Sequence, residues 1–273
     1  MQFALSTYLF TDERLTSHIL DQILGAGIRE LEIFAARQHL DYHDPNHVRD
    51  VAQWFIDHGV SLHSLHAPLF DDLDWGRSGG WAISVAHLER RLRIESMDEI
   101  KRAIDMAERV PFRFLVLHLG LPEEEYDLRK FDAAMTSIEH LNIYTKERGA
   151  QLLLENIPNE LSTPERLVEF LQYTHLDLKV CFDTGHAHLS GGVQPAFQIL
   201  RERIASTHVH DNRREGDDHL FPFDGDIDWE QTLRDFRSVN GQFPILFELQ
   251  NYGPEVTTLT RLREVMEKME AIR

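Results

Sequence analysis

Six apolar stretches of this chain end at a side chain that can bind a metal ion. The stretches are SLHSLH, FLVLH, QLLLE, DLKVCFD, IASTH and FPILFE, and they end at His66, His118, Glu155, Asp183, His208 and Glu248. Parallel strands that are buried on both faces have continuous apolar sequences of this kind. A polar residue directly after such a run lies where the strand leaves the core. Six of these ends can meet only if the strands lie side by side and point the same way, as they do at the carboxyl end of a closed parallel barrel.

Longer amphipathic stretches alternate with the apolar runs along the chain. Strands are predicted at 2–8, 28–34, 60–66, 113–118, 151–155, 178–183, 204–210 and 244–248. Helices are predicted at about 13–25, 45–58, 90–109, 125–148, from Thr163-Pro164 onward, 194–202, 229–239 and 255–271. This alternation predicts the α/β class and a single (β/α)8 TIM barrel domain over residues 1–273. An open doubly wound parallel sheet is the structural alternative.

The composition is typical of a globular protein, with 42% hydrophobic and 27% charged residues and no composition break that would mark a linker. The first residues, MQFALSTYLFTDER, lack the basic start and the apolar core of a signal peptide. No apolar run approaches the roughly 18 residues of a membrane helix. The lone Cys181 cannot form an internal disulfide. We therefore expect a reducing, cytoplasmic setting and no membrane partner.

The net charge of −18, from 28 basic and 46 acidic residues, bears on the partners. An acidic surface repels phosphate backbones over long range, so a nucleic acid partner is disfavoured. A local basic patch or bound metal ions would reverse that sign at the site itself.

Three further residues join the six strand ends. His186 follows Asp183 by three positions in CFDTGHAH, and Asp217 and His219 lie in GDDHLFPFDGDIDW after the seventh strand. Imidazole and carboxylate together suit Zn, Mn, Co or Fe rather than Ca. These candidates exceed the roughly four ligands that one ion takes from a protein, so the sequence predicts between one and about three divalent ions per chain. His188 and His210 are close enough in sequence to be hydrogen-bond partners of ligands.

Two strand-to-helix connections are long, at 67–90 and 211–228, and both belong to the predicted active face. Long loops in compact domains are usually functional or disordered, and we interpret these two as walls of an active site. Trp75 and Trp81 in the first loop either line a pocket or pack the loop onto the barrel. Arg214 in the second loop either binds substrate oxygens or is a solvated charge.

Taken in order, these motifs resemble those of a known superfamily. LHAPL, VLHLG, LLLENIPN, VCFDTGHAH, THVHDN, DDHLFPFDGDIDW and ILFELQ are similar to the successive motifs of xylose isomerase-like barrels. This group includes sugar phosphate isomerases and epimerases as well as AP endonucleases of the endonuclease IV type. The resemblance extends from the third strand to the C-terminus and is specific at the superfamily level only.

The resemblance implies different roles in the two branches. In the ketose 3-epimerase branch, residues matching Glu155, Asp183, His208 and Glu248 hold one Mn or Co ion, and the two glutamates exchange a proton of the substrate. The residue matching His186 contacts substrate there. In the endonuclease branch all nine positions bind three zinc ions, and the carboxylate matching Glu155 bridges two of them. This chain has a candidate at each of the nine positions.

An isomerase or epimerase of a sugar or sugar phosphate would use Glu155 and Glu248 as catalytic residues. The metal would stabilise the enediolate that forms when one glutamate removes a proton, and the other glutamate would return the proton on the opposite face. His186, Arg214 and Trp75 would bind the substrate. A lyase or dehydratase could begin with the same proton abstraction.

The alternative is a zinc-dependent phosphodiesterase that cleaves abasic DNA. It requires a basic or duplex-wedging surface around the site. The loops instead contain FDDLDWG and EGDDH, and the nearby cations are Arg37, Arg213 and Arg214. A barrel that has lost activity is disfavoured while both glutamates remain. We therefore expect a small carbohydrate as the partner; the sequence leaves self-association into a homo-oligomer open.

Overall fold

Eight parallel strands form a nearly closed barrel in the computed structural model, which describes residues 1–239, 243–251, 253 and 255–272. The strands are β1 (Phe3–Ser6), β2 (Glu30–Phe34), β3 (Ser61–His66), β4 (Phe112–His118), β5 (Gln151–Glu155), β6 (Lys179–Asp183), β7 (Ile204–His208) and β8 (Ile245–Phe247). They are ordered β7-β6-β5-β4-β3-β2-β1-β8. Val209, just after β7, closes the ring: its N–H donates to the carbonyl of Leu246 at 2.8 Å, and its carbonyl accepts from the N–H of Glu248 at 3.3 Å. The predicted (β/α)8 TIM barrel is confirmed.

Helices connect the strands on the outside of the barrel. They are α1 (Ser17–Gly25), α2 (Pro45–His58), α3 (Arg90–Ile104), α4 (Leu128–Glu147), α5 (Pro164–Thr174), α6 (Thr184–Leu189), α7 (Val193–Leu200), α8 (Trp229–Ser238) and α9 (Glu255–Ala271). Among the described residues, none of these helices combines the length and the apolar character that crossing a bilayer requires.

Local sequence signals explain where α2 begins and ends. The Asp44 side chain caps it by accepting from the N–H of Asn46 at 2.9 Å, and Pro45 occupies the first turn, where its missing N–H costs nothing. Gly59 ends it in the left-handed conformation, with φ of 59°. The predicted bounds of 45–58 are those observed.

Several predicted bounds differ from the structure by a few residues, as at the start of α1 (Ser17 instead of 13) and the end of α3 (Ile104 instead of 109). Two further differences change the element itself. One helix was predicted after the sixth strand, at 194–202, but there are two, α6 and α7. Gly191 and Gly192, both at φ of 121°, separate them. The first strand was predicted to extend to residue 8, but it ends at Ser6, whose side chain caps a 3-10 turn over Thr7–Phe10.

The apolar core of the described residues has two parts, and the smaller one lies inside the barrel. The larger part fills the layer between strands and helices, whereas a separate cluster consists of Phe114, Val116, Leu153 and Cys181. These four come from β4, β5 and β6, and each lies two or four residues before the end of its strand. The same three strands end at His118, Glu155 and Asp183. These predicted ligands therefore follow directly on a small apolar cluster inside the barrel.

Candidate metal centre

The carboxyl end of the barrel gathers all nine predicted ligands. Within the part of the chain that the structure describes, their donor atoms and one of His210 form three groups, and within each group the atoms lie within 4.8 Å of one another. The first group is His66, His118 and Glu155; the second is Glu155, Asp183, His208 and Glu248; the third is His186, His210, Asp217 and His219.

Glu155 joins the first two groups. Its Oε2 lies 3.1 Å from Nε2 of His118 and 3.4 Å from Nε2 of His66, while its Oε1 lies 3.1 Å from Nδ1 of His208. The three histidines come from β4, β3 and β7, and Glu155 ends β5. Each oxygen of this one carboxylate therefore faces a different group, as a bridging ligand would.

The second group is the most deeply buried. Glu155, Asp183 and His208 have no exposed surface, and Glu248 is 3% exposed. Nδ1 of His208 lies 3.6 Å from Oε2 of Glu248 and 4.0 Å from Oδ2 of Asp183. Three buried carboxylates around one imidazole are costly without a compensating cation.

Helix α6 brings His186 to the third group. Asp183 ends β6 and also caps α6, because its Oδ1 accepts from the N–H of His186 at 2.6 Å. This turn directs Nε2 of His186 to Oδ2 of Asp217, at 3.0 Å. Nε2 of His219 lies 3.2 Å from the same oxygen.

His210 completes the third group, although the sequence suggested only a supporting role for it. Its ring stacks on that of His219, with 4.0 Å between the centroids, and its Nε2 lies 3.1 Å from Oδ2 of Asp183. Gly185 leaves the room that His210 occupies, since an added Cβ there would lie 2.0 Å from Cε1 of the ring. The HxH spacing of THVH is the sequence signal for this position.

Asp211 organises the loop that carries Asp217 and His219. It is fully buried, and its carboxylate accepts from the indole of Trp229 at 2.7 Å and from the backbone N–H groups of Phe223 and Ile227, both at 3.1 Å. These bonds tie the loop over 211–228 to the start of α8. Sequence reasoning missed this residue, because an aspartate in an acidic loop resembles a solvated charge.

The two glutamates of the second group have pKa values that are shifted in opposite directions. Burial alone would raise the pKa of Glu155, but His208 and His118 hold it well below the usual range. Burial raises the pKa of Glu248, and the histidines around it do not reverse that shift. Paired carboxylates with separated pKa values are typical of sites that divide acid and base roles.

The donor set fits a divalent cation. Imidazole nitrogens and carboxylate oxygens converge in every group, and two buried atoms of the ligand residues, Oε1 of Glu248 and Nδ1 of His210, have no hydrogen-bond partner. Buried polar atoms without partners are rare in native proteins and indicate an additional ligand, ion or water. A cation would also neutralise the carboxylates.

A cleft of about 540 Å³ opens above the three groups. One wall is aromatic: Phe34 stacks on His66 with 4.1 Å between centroids, and Trp75 lies 5.2 Å from Phe34. Acidic residues, Glu123 and Glu215, lie in the lining as well. No lysine or arginine of the described residues contributes to it.

Only some of the residues predicted to bind substrate line the cleft. Trp75 and His186 line the cleft, whereas Trp81 packs against the core. Arg214 lies outside the lining and donates from Nε to Nε2 of His188 at 3.2 Å.

The other two arginines near the site are also engaged. Arg37 donates to the carbonyl of Asp71 at 2.9 Å and forms an ion pair with Asp41 at 3.4 Å, and Arg213 donates to the carbonyl of Asp224 at 3.0 Å. Both side chains therefore bind groups of the protein itself, and neither belongs to the lining of the cleft.

The sequence model of the xylose isomerase-like TIM barrel family matches residues 20–272. The chain belongs to this family. MJ1614, an uncharacterized protein of Methanocaldococcus jannaschii, is 26% identical over 259 residues, which are 92% of this chain and 93% of that protein. A probable endonuclease 4 of Shouchella clausii is 26% identical over 210 residues, or 69% of this chain and 61% of that protein.

A solved structure gives the same result for the fold. The crystal structure of a D-tagatose 3-epimerase-like protein aligns over 99% of this chain and 98% of its own, with a TM-score of 0.79 and 22% identity. The relatives therefore include both an epimerase-like structure and a probable endonuclease 4, and the cleft has to distinguish between the two activities.

Proposed function

We propose that this protein is a divalent-metal-dependent isomerase or epimerase of a small sugar or sugar derivative. The observation that carries the proposal is the second ligand group, in which Glu155 and Glu248 each place a carboxylate oxygen within 4.8 Å of the other. Glu248 lines the cleft, and Glu155 is buried beside it. Two glutamates beside one metal position can remove a proton from a substrate carbon and return it.

The side chains around the metal position have complementary tasks. A bound divalent ion supplies Lewis acidity, which polarises a substrate carbonyl and makes the adjacent C–H more acidic. Glu155, whose pKa is lowered, remains ionised and can accept that proton. In the metal-free protein burial raises the pKa of Glu248, and we propose this glutamate as the one that returns a proton to the substrate.

The cleft supports a small carbohydrate as the substrate. Its volume of about 540 Å³ lies within the range of small-molecule sites, roughly 300–1,000 Å³. The rings of Phe34 and Trp75 offer an apolar surface on which the C–H face of a sugar can lie. The acidic lining disfavours a DNA duplex, which needs cations around the site.

The endonuclease alternative also has a specific observation in its favour. All nine predicted ligands lie in the three groups, and Glu155 belongs to two of them, as the resemblance to endonuclease IV implies for the bridging carboxylate. A probable endonuclease 4 is also among the relatives. The engaged arginines weigh against it.

A deuterium exchange experiment tests the proposal. The metal-loaded protein is incubated with a panel of ketoses and aldoses, free and phosphorylated, in deuterated water, and uptake at the carbon beside the carbonyl is followed by NMR. We expect uptake with at least one sugar, and Glu155→Gln and Glu248→Gln should each reduce its rate by about 10²- to 10⁴-fold. Glu125→Gln, on an exposed residue of a neighbouring loop, is the matched control and should not change it.

Other outcomes would decide against the proposal. Loss of water from the substrate after deuterium uptake would indicate a lyase or dehydratase. Cleavage of an abasic duplex without uptake by any sugar would favour the endonuclease. If protein purified without chelator contains no divalent ion, and Glu155→Gln has no effect, the metal site itself is wrong.

A further inference from the structure

A buried carboxylate lies directly beneath the second ligand group. Glu32 of β2 has no exposed surface and does not belong to the lining of the cleft. Its Oε2 accepts from Oγ of Ser64 at 2.7 Å and lies 3.1 Å from Nε2 of His208. Its Oε1 has no hydrogen-bond partner.

His208 is thus held between two sets of carboxylates. Nε2 faces Glu32, while Nδ1 faces the second group, at 3.1 Å from Glu155 and 3.6 Å from Glu248. An ionised carboxylate cannot donate a hydrogen, so the contact with Glu32 requires a proton on Nε2. A neutral imidazole with its proton on Nε2 presents the lone pair of Nδ1 to the second group.

We infer that Glu32 is a positioning residue: it fixes the tautomer and the ring orientation of His208 and strengthens Nδ1 as a metal ligand. The chemistry is that of a carboxylate, a histidine and a metal in line, in which the carboxylate raises the basicity of the ligand. Ser64 holds Glu32 in turn. This inference rests on the metal site of the proposed function and adds a residue that is outside all three ligand groups.

Strand β2 also provides a matched control. Glu30, two residues earlier, makes a similar contact with a histidine, since its Oε1 lies 3.1 Å from Nδ1 of His63. His63 reaches Oγ of Ser206 with its other nitrogen, at 3.0 Å, rather than any ligand of the three groups. Both pairs join a glutamate to a buried histidine, but only the histidine next to Glu32 belongs to a ligand group.

Cobalt binding tests the inference without reference to any substrate. Co²⁺ is titrated into chelator-treated protein in competition with a chromophoric chelator, and the visible absorption of the bound ion is recorded. Glu32→Gln keeps an acceptor for His208 and Ser64 but removes the charge, and we expect it to weaken the tightest binding event by about 10- to 100-fold. It should also change the Co²⁺ spectrum, whereas Glu30→Gln should change neither quantity.

Glu32→Asp is the second variant, because it keeps the charge within the barrel if the glutamine variant does not fold. It withdraws the carboxylate from His208 by one methylene group, and we expect a similar loss of affinity. A purely structural role predicts lower thermal stability with unchanged affinity and spectrum, and that result in either folded variant would overturn the inference. If the wild-type protein binds no Co²⁺, the proposed metal site fails instead, so the two failures are distinguishable.

Discussion

At the scale of single residues, Asp217 controls the proton on His219. Burial by itself lowers the pKa of His219, but Asp217 and Glu248 outweigh it and raise that pKa to about 9. In return, His219 and His186 hold the pKa of Asp217 far below its usual range, against the effect of burial. Without a metal ion, the third group is therefore held together by a charged imidazole and a carboxylate.

This pair predicts a pH dependence for the metal-free protein. His219 gains stability from a folded pKa of about 9 against 6.5 unfolded, so its contribution is complete below pH 6.5 and is lost as pH rises through 9. The loss amounts to about 3 kcal/mol at most. Urea unfolding of chelator-treated protein at pH 6.5 and 9.5 measures it. In Asp217→Asn the loss should be clearly smaller.

Asp218→Asn, on the adjacent residue, is the control for this measurement. Its carboxylate faces the N–H of Arg213 at 3.4 Å, and it lies outside the third group. This variant should retain the full pH dependence of the wild type. If the free energy of unfolding fell equally in Asp217→Asn and in the wild type between pH 6.5 and 9.5, Asp217 would not be the residue that raises the pKa of His219.

The strand-end residues could be predicted as a set, because His, Asp or Glu residues at the ends of six apolar runs form a pattern that single residues do not. One histidine at a strand end usually only makes a hydrogen bond, whereas a carboxylate that ends a buried run is costly unless it is paired or binds a metal. All nine predicted ligands do come together. Glu32 could not be predicted in this way, since it lies within the pattern of β2 and not at its end. Its role depends on a neighbour 176 positions away, which only the closed barrel brings near.

At the scale of elements, the short helix α6 is where the sequence prediction was least complete. Its six residues are too few to show helical periodicity, and its cap, Asp183, already counted as a strand end. The turn matters because it carries His186 to the third group, and its second residue, Gly185, faces His210.

Gly185→Ala should therefore disturb the metal centre through α6. The new Cβ would lie 2.0 Å from Cε1 of His210, so the ring or the helix must move, and we expect a destabilisation of about 1–3 kcal/mol. The loss of bound metal from the third group should accompany it, as measured by metal analysis after gel filtration.

Gly25→Ala is the comparison for this substitution. Gly25 ends α1, and an added Cβ would meet no atom within 4 Å. Alanine is favoured over glycine in helices by up to about 1 kcal/mol, so this variant should be neutral or slightly more stable. Unchanged stability and metal content in Gly185→Ala would contradict the prediction, because α6 or the ring of His210 would then accommodate the added Cβ at no cost.

At the scale of the whole molecule, the barrel joins strands from both ends of the chain around one charged centre. The pairing of β1 with β8 and the contact of Val209 with Leu246 close the ring, so the second ligand group draws on β5, β6, β7 and the end of β8. Buried carboxylates at this point oppose closure by their mutual repulsion, and a cation at the centre removes that opposition.

Metal removal should therefore lower the stability of the whole barrel. An ion present at about 100 times its dissociation constant adds roughly 2.7 kcal/mol to the free energy of unfolding. For a chain of 273 residues, that corresponds to a rise in melting temperature of about 5 °C over chelator-treated protein. Differential scanning fluorimetry with Mn²⁺, Co²⁺ or Zn²⁺ measures the shift. Glu155→Gln should lose most of it, because Glu155 belongs to two groups. Glu125→Gln should keep it, and a melting temperature that is the same with metal and with chelator would rule out a metal ion as the element that stabilises the closed barrel.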